Sequence, residues 1–202
     1  MKKKIKEKIR VVAALAVAGL MLVFCLRYAW LTWQSEIRPV LATWLLFCLA
    51  TSLSFATYWS TKKRSVVGNI GNFIDVVSTS SILVSIVLLS ADSLLEFNLF
   101  EIGCLVAAIL ILIAWLISKW HVIANFAFQG VMLVGVFPTL YHLWSATKNT
   151  ESLFAWILAT LASFISLIPA IIDRDKIAIV YATRACVIVT AVMALIIRLE
   201  IR

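Results

Sequence analysis

Charge is scarce in this 202-residue chain. Only 14% of its residues are Asp, Glu, Lys or Arg, where a soluble domain carries roughly a quarter. Apolar residues make up 63% and the mean hydropathy is +1.05, a surplus that a chain this short has no interior to hide. Six glycines and three prolines are too few for a collagen-like or disordered chain. Cys25, Cys48, Cys104 and Cys186 stand apart in apolar runs without metal-ligand spacing, and the two histidines fall near opposite ends of one run. There is no His-Glu-x-x-His, no Gly-x-Ser-x-Gly, no nucleotide-binding loop and no paired catalytic carboxylates. Neither an enzyme nor an ATP-driven pump is therefore expected, and no cofactor or metal. The last apolar run holds no lysine, which excludes a retinal Schiff base.

What is present is apolar and continuous. Runs of about 20 residues, the length that lets a helix cross a bilayer with its backbone satisfied, occur at Val11–Leu31, Val40–Trp59, Val66–Ser90, Phe100–Ser118, Val122–Leu143, Leu153–Ile172 and Ile177–Ile197. Strands of a membrane barrel would alternate apolar and polar residues, so a barrel is excluded. The expected fold is all-α: one polytopic membrane domain, residues 1–202, with seven transmembrane helices. The basic start at Met1–Arg10 suits a signal peptide, but no small-residue cleavage site follows the first run, which reads as a retained helix.

With seven spans, the N-terminus, Thr61–Arg64, Lys119–His121 and Asp173–Lys176 share one side, and they hold 12 of the 18 Lys and Arg. The other side holds Arg27, Arg38, Lys148, Arg198 and Arg202, and has an acidic stretch with Asp92, Glu96 and Glu101. The positive-inside rule places the N-terminus in the cytoplasm and the C-terminus outside a cell membrane. The net charge of +8 is then a topology signal and, at the lysine-rich N-terminus, an attraction for anionic lipid headgroups; no nucleic-acid partner is expected.

An internal duplication runs through the chain. Residues 16–23 (AVAGLMLV) match 127–134 (AFQGVMLV) at a shift of 111, as do Trp33 and Trp144. Residues 44–56 (WLLFCLATSLSFA) match 156–168 (WILATLASFISLI) at a shift of 112, aligning Trp44 with Trp156 and Ser54 with Ser166. Two parallel three-helix repeats, residues 11–90 and 122–197, are expected, joined by a linker helix at 100–118. Since an odd linker returns the chain to its starting side, the repeats point the same way. Gly19 and Gly130 match across the repeats and are expected at close helix contacts.

The 3 + 1 + 3 plan, together with Phe137-Pro138-Thr139-Leu140-Tyr141-His142-Leu143-Trp144 and the Lys148-Asn149-Thr150-Glu151-Ser152 loop, resembles the PQ-loop superfamily and its SWEET sugar facilitators. Thr139 stands where that family has Gln, and Arg27 matches Pro138 in the first repeat. The stretch Arg38-Pro39-Val40-Leu41-Ala42-Thr43-Trp44-Leu45-Leu46 is also similar to small uncharacterised bacterial membrane proteins. The resemblance implies a transporter working by alternating access.

Polar side chains inside spans are costly and mark a pathway or an intramembrane pair. The third run is rich in them, and Asp75, Asn72, Gln129 and Arg184 fall at nearly one depth when counted from the run starts. Asp75 and Arg184 are expected to face each other between the repeats, with Asn72 and Gln129 in the same cavity. Trp44 and Trp156 are expected to narrow its mouth, the other tryptophans forming an interfacial belt. Pro138 and Pro169 interrupt spans and are candidate hinges. The substrate expected is a small polar solute, moved by a facilitator or a proton-coupled carrier. The rival reading is a non-transporting seven-helix scaffold or receptor subunit. Self-association into a homo-oligomer stays open.

Overall fold

The computed structural model describes residues 2–37, 39–61, 64–89 and 99–201. Arg38, the connection bearing Asp92 and Glu96, and the side chains of Glu101 and Cys104 lie outside the described residues. Eight α-helices follow one another: α1 (Lys2–Trp33), α2 (Leu41–Trp59), α3 (Ile70–Leu89), α4 (Leu99–Ser118), α5 (His121–Gly135), α6 (Phe137–Ser145), α7 (Leu153–Asp173) and α8 (Lys176–Ile201). Six helical segments among the described residues are long and apolar enough to cross a membrane, α5 and α6 counting together as His121–Ser145, and Leu105–Ser118 is a shorter apolar helix. Large apolar side chains such as Leu15, Leu26, Leu88 and Ile117 are more than 60% exposed. A surface of this kind is stable only against hydrocarbon, which makes the chain a multi-pass membrane protein.

The helix ends depart from the apolar runs for local reasons. Arg10 and the lysines before it extend α1 well past the first apolar run, because α1 is 32 residues long and spans about 48 Å at 1.5 Å per residue, against a hydrocarbon core of about 30 Å. The start of α3 is delayed to Ile70, since Ser65 holds Val66–Asn69 in a turn: its hydroxyl accepts from the Gly68 N–H (3.0 Å) and its carbonyl from the Asn69 N–H (3.0 Å). Pro138 lies in the first turn of α6, where its missing N–H costs nothing, and the fifth span breaks at Val136 just before it. Pro169, by contrast, sits inside an unbroken α7. Arg174 ends α7 in the left-handed conformation (φ 50°), and the Asp175 carboxylate caps α8 by accepting from the N–H groups of Ile177 (3.0 Å) and Ala178 (3.2 Å).

Helix α3 packs between α1 and α2, while α8 packs against α7 and against α5 and α6. The two groups join where α1 lies along α7 and α2 along α5, with α3 meeting α8 in between; α4 leans on α5. The glycines that permit close approach are not the pair expected. Gly19 and Gly130 have open space where a side chain would be, whereas a Cβ at Gly135 would lie 3.3 Å from Leu46 Cβ on α2, and one at Gly71 3.1 Å from Ser166 Oγ on α7. The repeat match at Gly19 and Gly130 falls on a helix face with no neighbour. Gly135→Leu should force α2 and α5 apart at a cost of about 1–3 kcal/mol, whereas Gly130→Leu should be nearly neutral. Thermal midpoints of the two variants in micelles check this.

Candidate functional site

Between the two helix groups lies a cavity of about 70 Å³, lined by α1, α2, α3, α7 and α8. Trp44 and Trp156 both line it, as do Thr51 and Ser163, which are likewise 112 residues apart. Both indoles are only 5% exposed, so they are walls of the interior, unlike Trp33, Trp120 and Trp144, which are more than 60% exposed. Phe24 stands next to both, with ring centroids 6.4 Å from Trp44 and 6.5 Å from Trp156.

Asp75 and Arg184 line the same cavity without making the direct ion pair expected of them: among the described residues, no contact within 4.0 Å joins them. Tyr181 touches both instead. Its hydroxyl donates to Asp75 Oδ2 (2.7 Å), and the Arg184 guanidinium lies over its ring, 4.5 Å from the centroid. Tyr181 and Arg184 are three residues apart on α8, hence on one face, which makes that stacking local. The side chain that reads as core in an apolar run is the one that links the two charges.

Asn72 and Gln129 are placed behind the cavity wall, in a buried polar cluster centred on Ser54 of α2. The Ser54 hydroxyl oxygen accepts from Gln129 Nε2 (2.8 Å), Asn125 Nδ2 (3.1 Å) and Asn72 Nδ2 (3.2 Å). Asn125 Nδ2 also reaches the Ser54 carbonyl (2.8 Å) and the Thr57 hydroxyl (3.1 Å). Gln129 Oε1 accepts from Arg184 Nε (3.0 Å), so the cluster orients the guanidinium. Arg184 Nη2 is buried with no hydrogen-bond partner. Sequence reasoning passed over Asn125, although it lies one turn from Gln129 on the same helix face, a spacing that marks a shared polar stripe.

On either side of the cavity along the helices, toward the ends of the bundle, polar ties join α1 or α2 to the α7 region. At the end bearing the N-terminus, Arg10 Nη1 donates to both oxygens of Asp173 (3.0 and 3.1 Å), and the Tyr58 hydroxyl donates to Asp175 Oδ2 (2.8 Å). At the opposite end, Glu151 in the connection before α7 is only 6% exposed. Its Oε2 accepts from the Tyr28 hydroxyl (2.8 Å) and from Trp156 Nε1 (3.0 Å), and Tyr28 packs on Trp44 with centroids 5.1 Å apart. Burial pushes the Glu151 carboxyl up to about 7, while the bonds from Trp156 and Tyr28 pull the other way. A glutamate in a Lys-Asn-Thr-Glu-Ser connection reads as solvated; nothing local signals that two aromatic donors close over it.

No protein-family model, curated protein or solved structure matches the chain.

Proposed function

We propose that the chain is a carrier for a small polar solute, working by alternating access at the seam between two triple-helix units. The observation that carries this reading is the cavity holding Asp75 and Arg184 between the units, with breakable polar ties between α1 and the α7 region on either side of it along the helices. Rocking needs the Arg10–Asp173 and Tyr28–Glu151 contacts to open in turn, and both are hydrogen-bonded contacts between separate segments, not continuous backbone.

The packing order supports the duplicated 3 + 1 + 3 plan. Exchanging the units turns the α1–α7 contact into the contact of α5 with α2, and turns the α3 contacts with α1 and α2 into those of α8 with α5 and α7. In each unit the third helix is the central one. Such an exchange is what a pseudo-twofold axis along the membrane normal produces, and it is shared with the PQ-loop and SWEET plan that the sequence resembles. Within this reading the N-terminus is cytoplasmic, on the strength of the lysine and arginine bias, and Pro138, at the break between α5 and α6, is the hinge better placed to bend.

Reconstituted in proteoliposomes, the protein should move a small polar solute down its gradient, and Asp75→Asn should slow that flux by about tenfold, the cost of weakening one charged contact. Unchanged flux in a well-folded Asp75→Asn variant would remove the carboxylate from the mechanism. A wild-type protein that moves no solute from a broad panel favours the scaffold reading, for which the packed Ser54 cluster is the supporting observation.

A further inference from the structure

We infer that the solute is a small zwitterionic amino acid, its carboxylate held by Arg184 and its ammonium by Asp75, with Tyr181 between them. This rests on the carrier reading for its transport, though not for its binding.

The argument is one of charge and size. Asp75 and Arg184 are the two charged residues lining the cavity among the described residues, and they do not neutralise each other by direct contact. Each has one strong protein partner: Asp75 the Tyr181 hydroxyl, and Arg184 the Gln129 carbonyl. Each keeps capacity to spare, since a carboxylate accepts more than one bond and Arg184 Nη2 is buried with none. A cation alone or an anion alone would leave one of the two ions uncompensated in a low-dielectric site, and a neutral sugar would leave each ion without a charged partner in contact. A solute with zero net charge but adjacent ammonium and carboxylate groups satisfies both at once. The planar guanidinium, already oriented by Gln129 and the Tyr181 ring, is suited to a carboxylate. Trp44, Trp156 and Phe24 supply an apolar wall on the remaining side. Since one water needs about 10–15 Å³ of such space, a 70 Å³ cavity admits a solute of about five to seven heavy atoms, the size of alanine or serine.

The test is binding to the 202-residue chain in nanodiscs, read as a saturable rise in the thermal unfolding midpoint. The probes are L-alanine, L-serine, L-alanine methyl ester (ammonium only), N-acetyl-L-alanine (carboxylate only) and glucose. L-Alanine and L-serine should stabilise the protein, with the ester and the acetyl derivative binding at least about tenfold more weakly. Arg184→Gln should erase the preference for alanine over its ester, and Asp75→Asn the preference over its acetyl derivative. If either variant fails to fold, the wild-type panel alone decides. Equal binding of the blocked compounds, stabilisation by glucose alone, or no stabilisation by any of the five overturns the inference. Flux separates the two readings: amino-acid binding without flux sinks the carrier and spares the zwitterion site, while glucose flux without amino-acid binding does the reverse.

Discussion

Between pH 4.5 and 7 the contribution of Glu151 to stability should fall as the pH rises, and Glu151→Gln should remove that fall. The Glu151 carboxyl titrates near 7 in the folded protein against an ordinary value of 4.5. Below 4.5 both folded and unfolded chains hold the proton, and the contribution of this group is fully present. Between the two values the folded chain binds more proton than the unfolded one, so stability falls with pH; above about 7 both are ionised and the contribution is lost. At about 1.4 kcal/mol per pH unit, the total is about 3 kcal/mol. The cause is burial of an anion beside Trp156 and Tyr28 with no cation within salt-bridge distance among the described residues. Thermal midpoints of wild type and Glu151→Gln across this range check it, because other groups titrate alike in both and cancel in the difference. Parallel curves would show that the carboxyl is ionised at its ordinary pH.

Replacing Asn125 by leucine should cost about 2–3 kcal/mol, the largest loss expected from a single change outside the cavity. Asn125 is fully buried; it donates to Ser54 and Thr57 and accepts from Gln129 Nε2 (3.3 Å). Leucine keeps the branched outline with bulkier methyl groups and leaves those buried partners unpaired. Single interhelical hydrogen bonds in membranes average about 0.6 kcal/mol because the unfolded reference also finds partners. Several lost together, with buried groups left unpaired, raise the figure. Ser60→Ala, which removes a local bond to the Ala56 carbonyl on the exposed surface, is the control and should change little. Reversible unfolding in mixed micelles reads both, and a loss below about 0.5 kcal/mol for Asn125→Leu would mean that the Ser54 cluster contributes nothing.

The class of this protein was legible because hydrocarbon imposes a simple rule: a span must be apolar and helical for about 20 residues, and a script of such runs needs no tertiary knowledge to read. The polarity of the third run and the pairing of Trp44 with Trp156 were legible for a related reason, since an expensive polar group or a repeated indole stands out against leucine and alanine. Gly19 and Gly130 misled because a match between repeats says nothing about which face of a helix has a neighbour.

From the sequence alone came the apolar helical segments, the basic bias of one side and the residues that any seam would draw on. Only packing decided that Tyr181, and not a direct bond, joins Asp75 to Arg184, that Asn72 and Gln129 retreat into the Ser54 cluster, and that a loop glutamate is buried under Tyr28 and Trp156. Hydropathy is a property of each residue and its near neighbours, whereas these contacts join residues 106 and 123 positions apart, and their geometry exists only once helices have chosen their faces.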